Sequence, residues 1–410
     1  MTVLVLDGGE RSSLTMVRSL GRKNIEVHTG EHYGFNLSAL SKYCKDNVTY
    51  PDPQVSMEMF IEGLLEILES SDYEMLLSSR EVTTIPIIYK KRKLERYATV
   101  PFPQPEKVEY TIDKLKTFKL AERVGIPIPK TYYANDLDEL MDIKDQVNFP
   151  IVVKPRSKTT WVNGTPVMLK VTGRNYVRSA EEMVRISTEI FKKTGKMPLI
   201  QEYVPGTGYG VEVLFNRGTP RAIFMHRRLR EYPITGGAST FRESVYREDL
   251  KEYALKLMEA LNWHGVAMVE FKIDSRDDTP KLMEINGRFW GSLALSVAAG
   301  VDFPYLLYKM FTDGDVEPVW KYKLGVKCRW LLPGDILWFI SSLKCSASKL
   351  KVLKEFLKFR HTCYDILSRD DPLPMIGAFG TIISYSWDVV TGRRNIHGEV
   401  VKKGLGGAKK

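Results

Sequence analysis

MEINGRFWGS (283–292) lies a short acidic connection downstream of VEFKID (269–274). Both stretches have strand character. Successive side chains of a strand point to opposite faces, so Glu284 and Asn286 share one face. The short connection predicts an antiparallel pair that brings Glu270 beside Glu284. Two carboxylates and an amide oxygen form an all-oxygen site for a hard cation. Mg2+ suits it, held by few protein ligands together with substrate phosphates. Arg288, two residues past Asn286, is on the side where a guanidinium clamps a phosphoryl or carboxylate oxygen. Glu270 alone reads as an edge-strand charge, and the E-x-N spacing alone is weak.

Two lysines upstream add weight to the site. Lys154 ends the apolar strand IVVKP (151–155), beside a Ser/Thr-rich loop, where it suits a phosphate partner. Its ordinary alternative is a snorkelling surface lysine. Lys114 opens a helix just after a linker, where the helix macrodipole disfavours a cation.

From the N-terminus, TVLVLD (2–7), the Gly8-Gly9 turn, a helix from Ser12 to Arg22 and EVHTG (26–30) read as the opening of a doubly wound α/β domain. A helix at 57–69, a strand at 74–78 and a helix at 81–95 continue it. Pro101, Pro103 and Pro105 read as a linker. The Gly8-Gly9 turn is read as a tight βα turn rather than a phosphate site. The next helix is expected from Thr111 to Val124, with Thr111 and Asp113 as capping candidates. Strands follow at 151–155, 199–204, 210–216 and 221–227, the last two as a hairpin, with a helix at 179–193.

The order DK (113–114), FPIVVKP (149–155), LIQEYVPG (199–206), VEF (269–271) and MEINGRFWGS resembles the ATP-grasp superfamily. The segment HRRLREYPITGGASTFRES (226–244) and RDDPLP (369–374) resemble its carboxylate–amine-ligase-like, carbamoyl-phosphate-synthase-related branch. The resemblance implies a Rossmann-like pre-ATP-grasp domain over 1–105 and a two-lobed ATP-grasp domain over 106–310. A small lid subdomain is expected near 130–204, and an α-rich extension over 311–410. It implies ATP and Mg2+, with Mn2+ as a substitute. Lys114 and Lys154 would contact phosphates. Gln201, Glu202, Tyr203 and Val204 would line the adenine, and Glu212 is the candidate for the ribose. Glu270, Glu284 and Asn286 would hold the metal. Arg288, with Lys154, Arg228 and Arg230, would serve the transferring phosphoryl group and the acceptor. The loop 157–165 would close over the triphosphate, although SKTTWVNGT has one glycine and a bulky Trp161.

The implied reaction is ligation of a carboxylate to an amine through an acyl-phosphate, releasing ADP and phosphate. A small-molecule kinase and a silent nucleotide-binding regulator are the competing readings. A homodimer is the family-based expectation.

The 410 residues carry 60 Lys plus Arg against 50 Asp plus Glu, a net charge of +10, which favours anionic ligands. Without a zinc-finger, RNP or basic-arm pattern, specific nucleic-acid binding is not expected. No apolar window reaches the ~18 residues of a membrane span. The N-terminus lacks a signal-peptide pattern, and four cysteines without CxxC spacing read as reduced, so a cytoplasmic protein is expected. Residues 343–360 place Leu343, Leu350 and Leu357 seven apart among lysines. They read as a packed helix with a solvated lysine face, or alternatively as a basic helix on a membrane or anionic polymer. Arg242, with Arg228 and Arg230, would suit an acidic acceptor. Trp320, Trp330, Trp338, Tyr364, Tyr385 and Trp387 read mostly as core, and 404–410 as a Gly/Lys tail.

Overall fold

A continuous apolar run suits a strand covered on both faces, and TVLV behaves accordingly. In the computed structural model, which describes residues 2–162, 165–234 and 236–379, β1 (Thr2–Val5) is central in a parallel sheet. With β2 (Glu26–Glu31), β3 (Asp46–Thr49) and β4 (Tyr73–Leu77) it gives the order β3-β2-β1-β4. Val3 and Val5 pack with Met16, Val17 and Leu20 of α1 (Arg11–Gly21). Leu4 packs on the other face with Phe60, Leu64 and Leu68 of α2 (Met57–Glu69). The helix expected at 81–95 is two pieces, α3 (Glu81–Tyr89) and α4 (Lys91–Leu94).

The proline linker is shorter than expected. Pro105 opens α5 (Pro105–Ile112), because a first-turn N–H is unpaired anyway and proline presets the helical φ. The helix expected over 111–124 is likewise divided. Asp113 is extended (φ −94°, ψ 105°), and its carboxylate accepts from Leu115 N at 3.0 Å to cap α6 (Lys114–Arg123).

A second layer has its own core. β5 (Thr131–Tyr132), β6 (Ile151–Lys154), β9 (Tyr176–Val177) and β10 (Leu199–Glu202) form the antiparallel sheet β5-β10-β6-β9. α7 (Leu137–Ile143) and α8 (Ala180–Thr194) supply Leu140, Met183, Ile186 and Ile190 against Ile151, Val153 and Ile200. A separate hairpin, β7 (Thr159–Val162) and β8 (Thr165–Met168), projects from this unit.

The third unit is a seven-stranded sheet, β15-β14-β11-β12-β13-β16-β17. Its members are β11 (Gly206–Asn216), β12 (Thr219–Tyr232), β13 (Ala238–Ser244), β14 (Gly265–Asp274), β15 (Pro280–Asn286), β16 (Lys327–Arg329) and β17 (Thr362–Tyr364). α9 (Glu248–Ala260) covers one face. α10 (Leu293–Ala299) and α11 (Phe303–Thr312) fill the other, against α1. The extension from 311 is therefore not only α-rich. It adds two strands to this sheet besides α12 (Ile336–Cys345) and α13 (Lys349–Phe356). Tyr385, Trp387 and the 404–410 tail lie outside the described residues.

Candidate active site

Register brings the acidic residues together. β14 pairs antiparallel with β15 so that Glu270 stands opposite Glu284 and Met268 opposite Asn286. Like charges directly opposite on a sheet are destabilising unless cations offset them. Four do so here. Arg228, on β12, donates to Glu270. Lys158 lies 2.5 Å from Glu284 Oε1, Lys114 lies 3.4 Å from Glu284 Oε2, and Arg288 Nη2 is 3.4 Å from Asn286 Oδ1. Burial alone would raise the Glu284 carboxyl, but Lys158 and Lys114 outweigh it and hold the group well below its usual range.

Asn286 knits the set. Its Nδ2 donates to Glu270 Oε1 at 2.9 Å, and its Oδ1 accepts from Lys158 at 3.2 Å. The Lys158 ammonium thus sits on the same oxygens that a hard cation would use. That donor set fits Mg2+.

The lysines flank this centre. Lys114 resolves its conflict with the macrodipole by turning toward Glu284, while its backbone N–H bonds to Arg156 O at 2.8 Å. Lys154 donates to Gln201 Oε1 at 2.6 Å and reaches 3.8 Å from Met283 Sδ. Burial, followed by neighbouring Lys114, pushes the Lys154 ammonium down to about 8. Arg288 is braced by Phe289 O at 2.8 Å and by Glu81, the first residue of α3, at 3.4 Å. Its Nε is buried with no hydrogen-bond partner among the described residues.

Several expected site residues are elsewhere. Gln201 faces Lys154 and Thr131, but Glu202, next on the strand, points to the other side. There it accepts from Lys130 N at 2.9 Å and meets Arg276 at 3.1 Å. Its side chain therefore lines an outer cleft with Tyr132 and Phe149 rather than the Lys154 side. Tyr203 is partly exposed, its ring 5.8 Å from Tyr176, and Val204 is buried.

Glu212 is paired with His226 and Ser292 rather than with any of Gln201 to Val204. It is fully buried on β11, 3.1 Å from His226 Nδ1 and from Ser292 Oγ. Burial raises its carboxyl well above the usual carboxylate range and lowers the His226 imidazole well below its own. Nearer the site, Gly210 lets His226 approach, since a Cβ there would lie 2.4 Å from the His226 ring.

Arg230 also leaves the set. β12 shifts register against β13 between Arg228 and Arg230. Arg230 consequently pairs with Asp335 at 2.7 Å, under the ring of Trp338 at 4.3 Å. Arg242 is buried on Asp365, so it is closed to an acceptor. Conversely, Lys158 and Glu81 join the site without having been singled out in the sequence. The only signal for Lys158 is a lysine four residues past Lys154 in a loop too poor in glycine to hold phosphate by backbone alone.

A family model described as "ATP-grasp in the biosynthetic pathway with Ter operon" matches residues 195–332, the stretch that carries β11 to β16 and the acidic pair. The fold agrees with it: biotin carboxylase from Campylobacter jejuni superposes with a TM-score of 0.64 at 14% identity, covering 80% of this chain and 74% of that one. Over residues 195–332 the chain is thus similar to an ATP-grasp family. Among curated relatives, this chain is 26% identical over 209 residues to the C-terminal section of the carbamoyl phosphate synthase large chain of Methanopyrus kandleri. That match covers 47% of this chain and 36% of the relative. It is 22% identical over 248 residues to the D-aspartate ligase of Enterococcus faecium, covering 56% and 58%. The chain therefore spans about a third to just over half of these relatives.

Proposed function

We propose that this ATP-grasp protein is an ATP-dependent carboxylate–amine ligase that works through an acyl-phosphate and releases ADP and phosphate. The observation that carries the reading is the Glu270–Glu284–Asn286 oxygen set surrounded by Lys114, Lys154, Lys158, Arg228 and Arg288. Relatives in carboxylate–amine ligation support it.

Glu270, Glu284 and Asn286 would hold Mg2+, which when bound supplies charge neutralisation on the nucleotide phosphates. Lys114 and Lys154 orient the terminal phosphates for in-line attack by the substrate carboxylate. Arg288, pre-set by Phe289 O and Glu81, receives the charge that builds on the transferring group. Lys158 stands at the root of the β7–β8 hairpin. Exchange of its carboxylate partner for a phosphate would couple nucleotide arrival to closure of that hairpin, which excludes water from the acyl-phosphate. Arg228 pairs with Glu270 and faces the acceptor side. The amine then displaces phosphate from the acyl carbon, giving the amide and inorganic phosphate.

The test is ADP and phosphate release from the full chain with Mg-ATP against pooled carboxylates and amines, with Glu284→Gln as the blank. ADP formation that requires both a carboxylate and an amine is expected. ADP formed with one substrate alone, or AMP with pyrophosphate, would overturn the ligase reading.

A further inference from the structure

The leucine-rich helix α13 packs by one face only: Val352 is buried, and the Phe356 ring stacks on Phe339 at 4.3 Å. Two arginines satisfy carbonyls at its C-terminal end. Arg329 donates to Phe356 O at 2.8 Å, and Arg230 donates to Glu355 O. This anchoring fixes which face looks outward. Leu350, Leu353 and Leu357 fall within about 60° of one another at 100° per residue. They are 63%, 40% and 57% exposed. Lys351, Lys354 and Lys358 form the adjoining stripe.

Charge follows the same segment. Residues 344–360 contain six basic residues and one acidic residue, a net +5 against +10 for the whole chain. Among the described residues, only Lys358 of the six is ion-paired, to Glu355 at 2.6 Å.

We propose that the outward face of α13, carrying Leu350, Leu353 and Leu357, is an interfacial docking surface for an anionic lipid bilayer. The occupant follows from the chemistry. An apolar stripe bordered by lysines matches a headgroup boundary, where leucines enter the acyl region and ammonium groups meet phosphates. A nucleic acid would use the lysines but offers no apolar phase for three aliphatic side chains. A second copy would bury the leucines only by placing lysine stripes against each other, a like-charge arrangement. Among the described residues no helix is long and apolar enough to cross a membrane.

The experiment is sedimentation of the full chain with vesicles of phosphatidylcholine alone and of phosphatidylcholine with phosphatidylglycerol. Partitioning onto the anionic vesicles at least about tenfold stronger is expected, falling with added salt. The variant L350S/L353S/L357S should lose about tenfold or more of that binding. Its melting temperature and its ADP release should stay unchanged, because these leucines support neither core nor site. The variant K351Q/K354Q/K358Q should lose the preference for anionic vesicles. Four results would overturn the proposal: no vesicle binding; undiminished binding of the leucine variant; equal binding of a single-stranded oligonucleotide that survives the leucine substitutions; or a dimer in solution that the leucine variant dissociates.

Discussion

At Glu284 one side chain answers to three opposing effects: burial, a facing carboxylate and two ammonium groups. Glu284→Gln keeps the shape and removes the charge. Turnover should fall at least about 10²-fold, with a melting temperature within a few degrees of wild type by calorimetry. Lys154 gives a pH signature. Its ammonium is depressed to about 8, so it is charged below that pH and neutral above it. Affinity for ATP in the free protein should fall as pH rises through about 8, and Lys154→Arg should flatten that limb in a titration of Kd from acid to alkaline pH. Glu212 makes the contrary prediction. Because its carboxyl is fully buried between Ser292 and His226, Glu212→Gln should change the ATP Kd by less than about twofold. A large loss would restore it to the nucleotide site.

Among the elements, α6 shows how a local rule serves the site. Asp113 caps the helix and also pairs with Arg156, the residue that follows the Lys154-Pro155 strand end. One carboxylate thereby fixes Lys114 at the start of α6 and ties it to the loop that carries Lys158. Asp113→Ala should cost about 1–2 kcal/mol in urea unfolding. It should also raise KM for ATP severalfold while leaving kcat within about twofold, because it moves the lysines without removing them. β14 and β15 work the same way: a register error of one residue would turn Glu270 to the opposite face.

In the whole molecule, the chain's last described segment closes back on its first. Asp371 accepts from Arg18 Nε at 2.8 Å, Ser41 Oγ at 2.7 Å and Lys42 N at 2.9 Å. Asp370 meets Arg22 at 2.9 Å. Buried Asp365 joins Arg242 of the large sheet to Arg11 of α1. The first helix is thus fastened to the sheet bearing Glu270 and Glu284 by residues some 350 positions away. Removing one partner of such a buried pair strands the other charge. Asp371→Ala should therefore destabilise the fold by about 3 kcal/mol or more in equilibrium unfolding, whereas exposed Asp370→Ala should cost under about 1 kcal/mol.

The sequence alone sufficed for what depends on short-range alternation. TVLVL announces a strand covered twice, and the spacing of Glu284, Asn286 and Arg288 places oxygens and a guanidinium on one side. The short turn before β15 then brings Glu270 opposite. A helix cap such as Asp113 is equally local. Long-range partners are not written in any window. Lys158 reaches Glu284 across 126 positions, and Glu81 meets Arg288 across 207. Arg230 is two residues from Arg228 and chemically identical, yet a register shift sends one to the site and the other beneath the extension. Glu212 has the right chemistry for a ribose but lies in a sealed layer. The lysine-flanked leucines looked like core, because periodicity reports that a helix has an apolar stripe, not whether anything lies against it. Only the packing of Val352 and Phe356, with Arg329 and Arg230 on the helix end, determined that the stripe faces outward.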